Sequence, residues 1–272
     1  MLRNYLRFCG LVTVLTLSTA LLASDAPSLP AGLAQAIERG QVKTIDLTYA
    51  LDDHSPYWPE GTSVTPFHAT TAATFSKNGY FTRTLQFPEH FGTHIDAPLH
   101  FDPKGRSLDQ IPVQDFFLQA VVVDVRGAVS SNPDYRVMVP DLQNWEKAHG
   151  PLPRGGAVLI LTGWGSRWPS QQRYMNQDAK GVLHFPGLSL EAAHYLLDHA
   201  HPTAIGIDTA SVDYGPSQHF EVHHLTMHAG VYHIENLANL ERVPATGAVI
   251  VALPIKLRGG SGGPAHVVAM VP

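Results

Sequence analysis

Short, unbroken apolar runs restrict the fold of this chain more than any other feature. AVVVDV (120–125) and GAVLILTGW (156–164) are almost wholly apolar. A strand with one wet face alternates apolar and polar residues, whereas a continuous run reads as a strand covered on both faces. VKTIDLTYAL from Val42, Phe81–Phe87, TAIGIDT (203–209), GVYHIENL (230–237), GAVIVALPI (247–255) and AHVVAMV (265–271) complete the expected strands. Helical segments fall between them. PDLQNWEKAHG (140–150) has Pro140 near its start and Gly150 at its end, and Ser189 is placed to cap LEAAHYLLDHA. A short helix is expected over Leu33–Arg39, ending at Gly40. Strands that alternate with helices define an α/β class with a mixed sheet. Neither an internal repeat nor a clean linker divides the chain.

The 272 residues are 44% hydrophobic and 15% charged, which is globular composition. The net charge is −5 and no Lys/Arg run occurs, so nucleic acid is not an expected partner. The first 23 residues read as an export signal. Arg3 and Arg7 lead into the apolar stretch Phe8–Leu22, and small residues allow a cut after Ala23. This points to a periplasmic or secreted protein with no membrane attachment once the signal is removed. Losing Arg3 and Arg7 takes the charge from −5 to −7. Residues 24–41 then read as a leader and 42–272 as one domain. The single cysteine, Cys9, lies inside the signal, so any metal ion must be held by nitrogen and oxygen.

Those atoms are concentrated in HFGTHIDAPLHF, His90–Phe101. Gly92 and Pro98 argue against a regular helix there. In an extended segment His94 and Asp96 point to the same side, and a bend at Gly92-Thr93 could swing His90 toward them. Two imidazoles and a carboxylate then converge, a donor set suited to Zn²⁺ or Mn²⁺. His100, beyond the stiff Pro98, stands beside that point. A second group runs from His219 to Glu235, with five histidines and two glutamates. A helix over Val222–His228 would put His224 and His228 on one face. Glu235 lies in an apolar strand, where an unpartnered carboxylate is costly. Spacing does not choose among these histidines. The chain has no G-x-S-x-G elbow and its mature part has no Cys, so water is a simpler nucleophile than a side chain. Asp208, Ser211 and Asp213 could orient ligand histidines or cap the next turn. GGSGGP (259–264) lacks the Lys-Ser/Thr of a P-loop and reads as a tight turn near the pocket. Tyr57 and Phe91 read first as packing residues.

Residues 90–101 match H-x-G-T-H-x-D-x-P-x-H-F in full, and in this the chain resembles the metal-dependent cyclase family, which includes kynurenine formamidase and isatin hydrolase. The likeness extends to IDLTYAL, Trp58-Pro59, GIDTASVD (206–213), GVYHIENLANL (230–240) and GGSGGP. It implies a mixed-sheet, barrel-like core with flanking helices, of the swivelling β/β/α type. It also implies a homodimer or higher homo-oligomer. His90, His94, Asp96, His223 and Glu235 would bind one or two Zn²⁺ ions, with Mn²⁺ as the other candidate. His100 would be the general acid/base and Trp58 a substrate contact. The implied reaction is hydrolysis of an aryl formamide, of the N-formylkynurenine type. Opening of a cyclic amide or lactone is the alternative, and an exported, non-catalytic metal- or ligand-binding protein is a third. Isatin hydrolase carries Gln where this chain has Glu235, so the carboxylate favours the formamidase-like arrangement with two ions. Trp58 is followed by Pro-Glu-Gly-Thr instead of the more usual Pro-Gly-Asp, a departure in the substrate loop.

Overall fold

A computed structural model describes residues 28–59 and 66–272. The expected signal, residues 1–23, lies outside the described residues. The described residues form twelve strands: β1 (Lys43–Asp46), β2 (His68–Ala73), β3 (Thr82–Gln86), β4 (His94–Asp96), β5 (Phe117–Asp124), β6 (Arg136–Val137), β7 (Ala157–Leu161), β8 (Gly187–Leu188), β9 (Ala204–Ile207), β10 (Tyr232–Glu235), β11 (Ala248–Pro254) and β12 (Gly262–Val271). The helices are α1 (Leu29–Glu38), α2 (Phe75–Asn78), α3 (Arg126–Val129), α4 (Val139–His149), α5 (Gln171–Met175), α6 (Leu190–His199) and α7 (Glu221–His228). No helix among the described residues is long and apolar enough to cross a membrane.

The main sheet runs β1-β12-β11-β5-β7-β9-β10-β4, and β4 also pairs with β12. That second pairing closes seven strands into a mixed barrel, with β1 added outside it. The ten-residue β12 makes closure possible, because its Gly262–Pro264 end pairs with β4 and its Val268–Val271 end with β1. β5, β7, β9 and β10 are parallel neighbours.

Side-chain alternation divides the core in two. Ala120, Val122, Leu159, Ile95, Ile234, Ile250 and Val267 fill the barrel. Val121, Val123, Val158, Ile160, Ile205 and Ile207 point outward and pack under Leu142, Trp145, Ala192, Ala193 and Leu196. Both faces of the parallel strands are therefore covered, which is why their sequences are apolar without interruption. Ser189 caps α6 as expected, accepting from Ala192 N–H at 3.1 Å. α1 begins at Leu29, inside the expected leader, because Pro30 fits the first helical turn. β2 was not expected: HATTAA carries little apolar alternation, and it pairs with β3 as a small separate hairpin.

Candidate metal centre

β4 and β10 form the floor of the site. Their antiparallel register sets Glu235 opposite His94, His233 opposite Asp96, and Ile234 opposite Ile95. Opposed residues share a face, so the four polar side chains look outward under α7 while the two isoleucines enter the barrel. Gly92 has φ +62°, and a Cβ there would strike Leu51. This bend turns His90 back over Asp96, with His90 Nδ1 2.5 Å from Asp96 Oδ1.

His94 Nε2 lies 3.0 Å from Asp96 Oδ1 and 3.7 Å from Glu235 Oε2. His223 Nε2, from α7, lies 3.4 Å from Asp96 Oδ2 and 3.4 Å from Glu235 Oε1. Around an ion with bonds near ~2.1 Å, tetrahedral ligands are separated by about 3.4 Å. Each imidazole thus faces both carboxylates at distances near that spacing, His94 through one oxygen of each and His223 through the other. Donor atoms of Asp96, His223, His233 and Glu235 lie within 4.8 Å of one another, and so do those of His90, Asp96 and His100. Asp96 belongs to both.

The far side of each imidazole is fixed. His94 Nδ1–H donates to Gly92 O at 2.9 Å, and Asn236 Nδ2 donates to the same carbonyl at 2.7 Å. Asp213 Oδ2 accepts from His223 Nδ1–H at 2.7 Å and from the His223 backbone N–H at 3.0 Å, while its Oδ1 accepts from Val222 N–H at 3.0 Å. Asp213 therefore both orients the imidazole and caps α7, joining two roles that the sequence left as alternatives. Asp208 is not at the floor; it binds Thr162 N–H at 2.9 Å and Gly163 N–H at 2.8 Å.

Electrostatics favour a cation between these groups. Burial depresses the His94 imidazole, but Asp96 and Glu235 outweigh that and raise it to about 9. Burial likewise opposes protonation of His223, and Asp213, Asp96 and Glu235 overcome it. Burial and the neighbouring Asp96 push Glu235 up, whereas His90 and His94 hold Asp96 well down against its own burial. Two buried carboxylates this close need cationic compensation, and a divalent ion supplies it without charging the imidazoles.

A cavity of about 360 Å³ opens above this floor. Trp58, Tyr57, Phe101, Phe220, Met175 and Pro88 wall it, and His100 reaches into it. His100 stacks on His90 with centroids 3.9 Å apart. Its ring is open to the cavity, yet desolvation by the wall, helped by the His90, His223 and His94 imidazoles, lowers its pKa against the pull of Asp96. Phe91 is buried and stacked on Phe67 and Phe87, as a packing residue should be, and one edge also lines the cavity. All seven expected site residues, His90, His94, Asp96, His100, His223, Glu235 and Trp58, line this one cavity. His224 of the second histidine group faces outward, with His228 Nδ1–H bonded to its carbonyl at 2.6 Å.

His233 is the residue that sequence reading passed over. It is fully buried, and one of its nitrogens lies within 4.8 Å of donor atoms of Asp96, His223 and Glu235. Thr226 Oγ1 donates to Val222 O at 2.7 Å and so accepts from His233 Nε2–H at 2.7 Å, leaving Nδ1 without a partner. Its period-two relation to Glu235 was the available signal.

The family model described as "Putative cyclase" matches residues 45–214, a span that holds His90, His94, Asp96, His100 and Asp213. The chain belongs to the cyclase family of metal-dependent hydrolases. It is 29% identical over 262 residues to isatin hydrolase from Roseibium aggregatum, covering 91% of this chain and 99% of that protein. It is 30% identical over 224 residues to kynurenine formamidase from Geobacillus thermodenitrificans, covering 81% and 93%. Among solved structures, isatin hydrolase A from Ralstonia solanacearum superposes with a TM-score of 0.86 at 32% identity, covering 92% of this chain and 99% of that one.

Proposed function

We propose that this protein hydrolyses the C–N bond of a neutral, aryl-fused cyclic amide of the isatin type. His94, Asp96, His223 and Glu235 would hold a divalent ion, with His90 beside Asp96 and Trp58 in the substrate wall. The observation that carries the reading is the cavity lining, which contains apolar and aromatic groups above the ligand cluster and, among the described residues, neither Lys nor Arg. N-formylkynurenine brings a free amino-carboxylate tail, and burying those charges without partners is costly. A flat neutral bicycle meets no such penalty. The likeness to isatin hydrolase over nearly the full length of both chains supports the same substrate class.

Zn²⁺ suits the two imidazoles and two carboxylates, and Mn²⁺ is the other candidate. When bound, a divalent ion supplies a Lewis acid for the amide carbonyl and makes water more acidic near neutral pH. The chain's own residues do the rest. The aromatic wall orients the ring and excludes bulk water. Neutral His100 takes a proton at its imidazole from the attacking water and delivers it to the departing amide nitrogen. Gly92 O and Asp213 keep His94 and His223 facing inward throughout.

Hydrolysis of an aryl formamide is the second reading, favoured by the carboxylate at Glu235 and by likeness to kynurenine formamidase. Parallel assays with isatin and N-formylkynurenine, on Zn²⁺- and Mn²⁺-loaded protein, separate the two. Isatin should turn over and the formamide should not; the reverse preference overturns the proposal. Ion uptake with no turnover of either leaves the binding-protein reading in place. Glu235→Gln, scored for ions per chain and for the ratio of the two activities, tests the carboxylate directly.

A further inference from the structure

The Gly-rich turn plays no part in the chemistry above, yet it lies directly behind His90. Ser261 Oγ is 2.9 Å from His90 Nε2 and 2.7 Å from Glu89 Oε2. The same Glu89 oxygen accepts from Ser261 N–H at 2.8 Å and from Gly262 N–H at 3.3 Å. An oxygen that gathers three donors acts only as an acceptor. The one hydroxyl proton of Ser261 therefore goes to Glu89, and an oxygen lone pair is left for the ring. A neutral His90 then carries its proton on Nε2 and leaves Nδ1 bare, 2.5 Å from Asp96 Oδ1. Two lone pairs at that separation repel unless a positive charge lies between them.

We propose that Glu89 and Ser261 are positioning residues that hold His90 in its Nε2–H tautomer and present Nδ1 to a cation shared with Asp96. The inference rests on the metal-dependent reading of the site. The backbone is shaped for the task. A Cβ on Gly262 would stand 2.5 Å from His90 Cε1, 2.8 Å from Nδ1 and 2.7 Å from Ile95 O, so only glycine lets the turn lie against the ring. The arrangement also completes a pattern, since His94 and His223 are tied at Nδ1 and turn Nε2 inward, while His90 is tied at Nε2 and turned the other way.

The test uses the full chain, stripped with chelator and titrated with Co²⁺. Ser261→Ala removes the relay. Glu89→Ala removes the acceptor, which frees the hydroxyl proton for His90 Nε2 and reverses the tautomer. Both should weaken Co²⁺ binding by about 10–100-fold and shift the visible Co²⁺ absorption bands, while the ion-free variants melt as the parent does. Ser261→Thr keeps the hydroxyl and should restore binding. In Zn²⁺-loaded parent, ¹⁵N spectra should place the His90 proton on Nε2. Parent-like Co²⁺ affinity in both Ser261→Ala and Glu89→Ala, or a His90 proton on Nδ1, overturns this inference alone. A parent chain that takes up no Co²⁺ overturns the metal-dependent reading and this inference with it.

Discussion

His100 and Asp213 show how much one side chain decides here. His100 lines the cavity and stacks on His90, and as the proposed proton carrier its change to Ala should lower turnover by about 10²–10⁴-fold. Metal content measured by elemental analysis should stay at the parent level; loss of the ion would move His100 from proton carrier to ligand. Asp213 serves α7 and His223 together. Asp213→Ala should therefore cost about 1–2 kcal/mol of stability through the lost cap, read by thermal melting, and about 10–100-fold in ion affinity, read by chelator competition. Asp213→Asn retains an acceptor for the cap and separates the two effects. At this scale the local part of the site was legible: His90, His94, Asp96 and His100 lie within eleven residues, and a bend plus alternation places them. Ser261, Glu89 and His233 were not, because their partners are set by how β4 registers against β10 and β12. Nothing in the spacing along one segment encodes a neighbour from another strand.

Among the elements, the strands buried on both faces were the most readable, since continuous apolar runs have few other uses. The β2–β3 hairpin was half missed because its exposed faces impose no pattern. Other segments are held by polar ties that sequence does not reveal. His184 Nδ1 meets Asp134 at 2.9 Å and Nε2 lies 3.6 Å from Asp178, fastening the turn after α5 to the segment before β6. Hydrogen bonding to Asp134, working against partial burial, raises the His184 pKa above its ordinary value. A raised histidine pKa stabilises the folded state below the unfolded value of about 6.5, and the contribution fades as pH climbs through the folded value. Asp134→Asn should consequently lower the melting temperature at pH 5.5 and leave it nearly unchanged at pH 9. The pair is partly exposed, so the effect is on the order of 0.5 kcal/mol. An equal loss at both pH values would show that charge is not involved.

At the scale of the molecule, the proposed ligands come from β4, α7 and β10, and β4 is the strand that closes the barrel against β12. Closure was only partly foreseeable. A mixed sheet followed from the pattern of runs, and a barrel-like core from the family likeness, but the split pairing of β12 is a property of the assembled sheet. Binding at a seam stabilises the closed form by mass action. An ion at a thousandfold over its dissociation constant adds about 4 kcal/mol, so EDTA should lower the melting temperature. Hydrogen exchange should quicken most at β4 and β10, with β5 and β7 little changed. Uniform acceleration across all strands would separate the ion from the seam.

The three residues of β4 leave no intermediate setting. His94 and Asp96 look out while Ile95 looks into the barrel, and slippage by one position would swap them. Two ionisable groups would then enter hydrocarbon, and an isoleucine would occupy the ion's place. Deleting one residue between Thr93 and Pro98 should accordingly yield no soluble enzyme at all. In a damaged preparation, misaligned molecules should lower the maximal rate in proportion to their number and leave KM as it was.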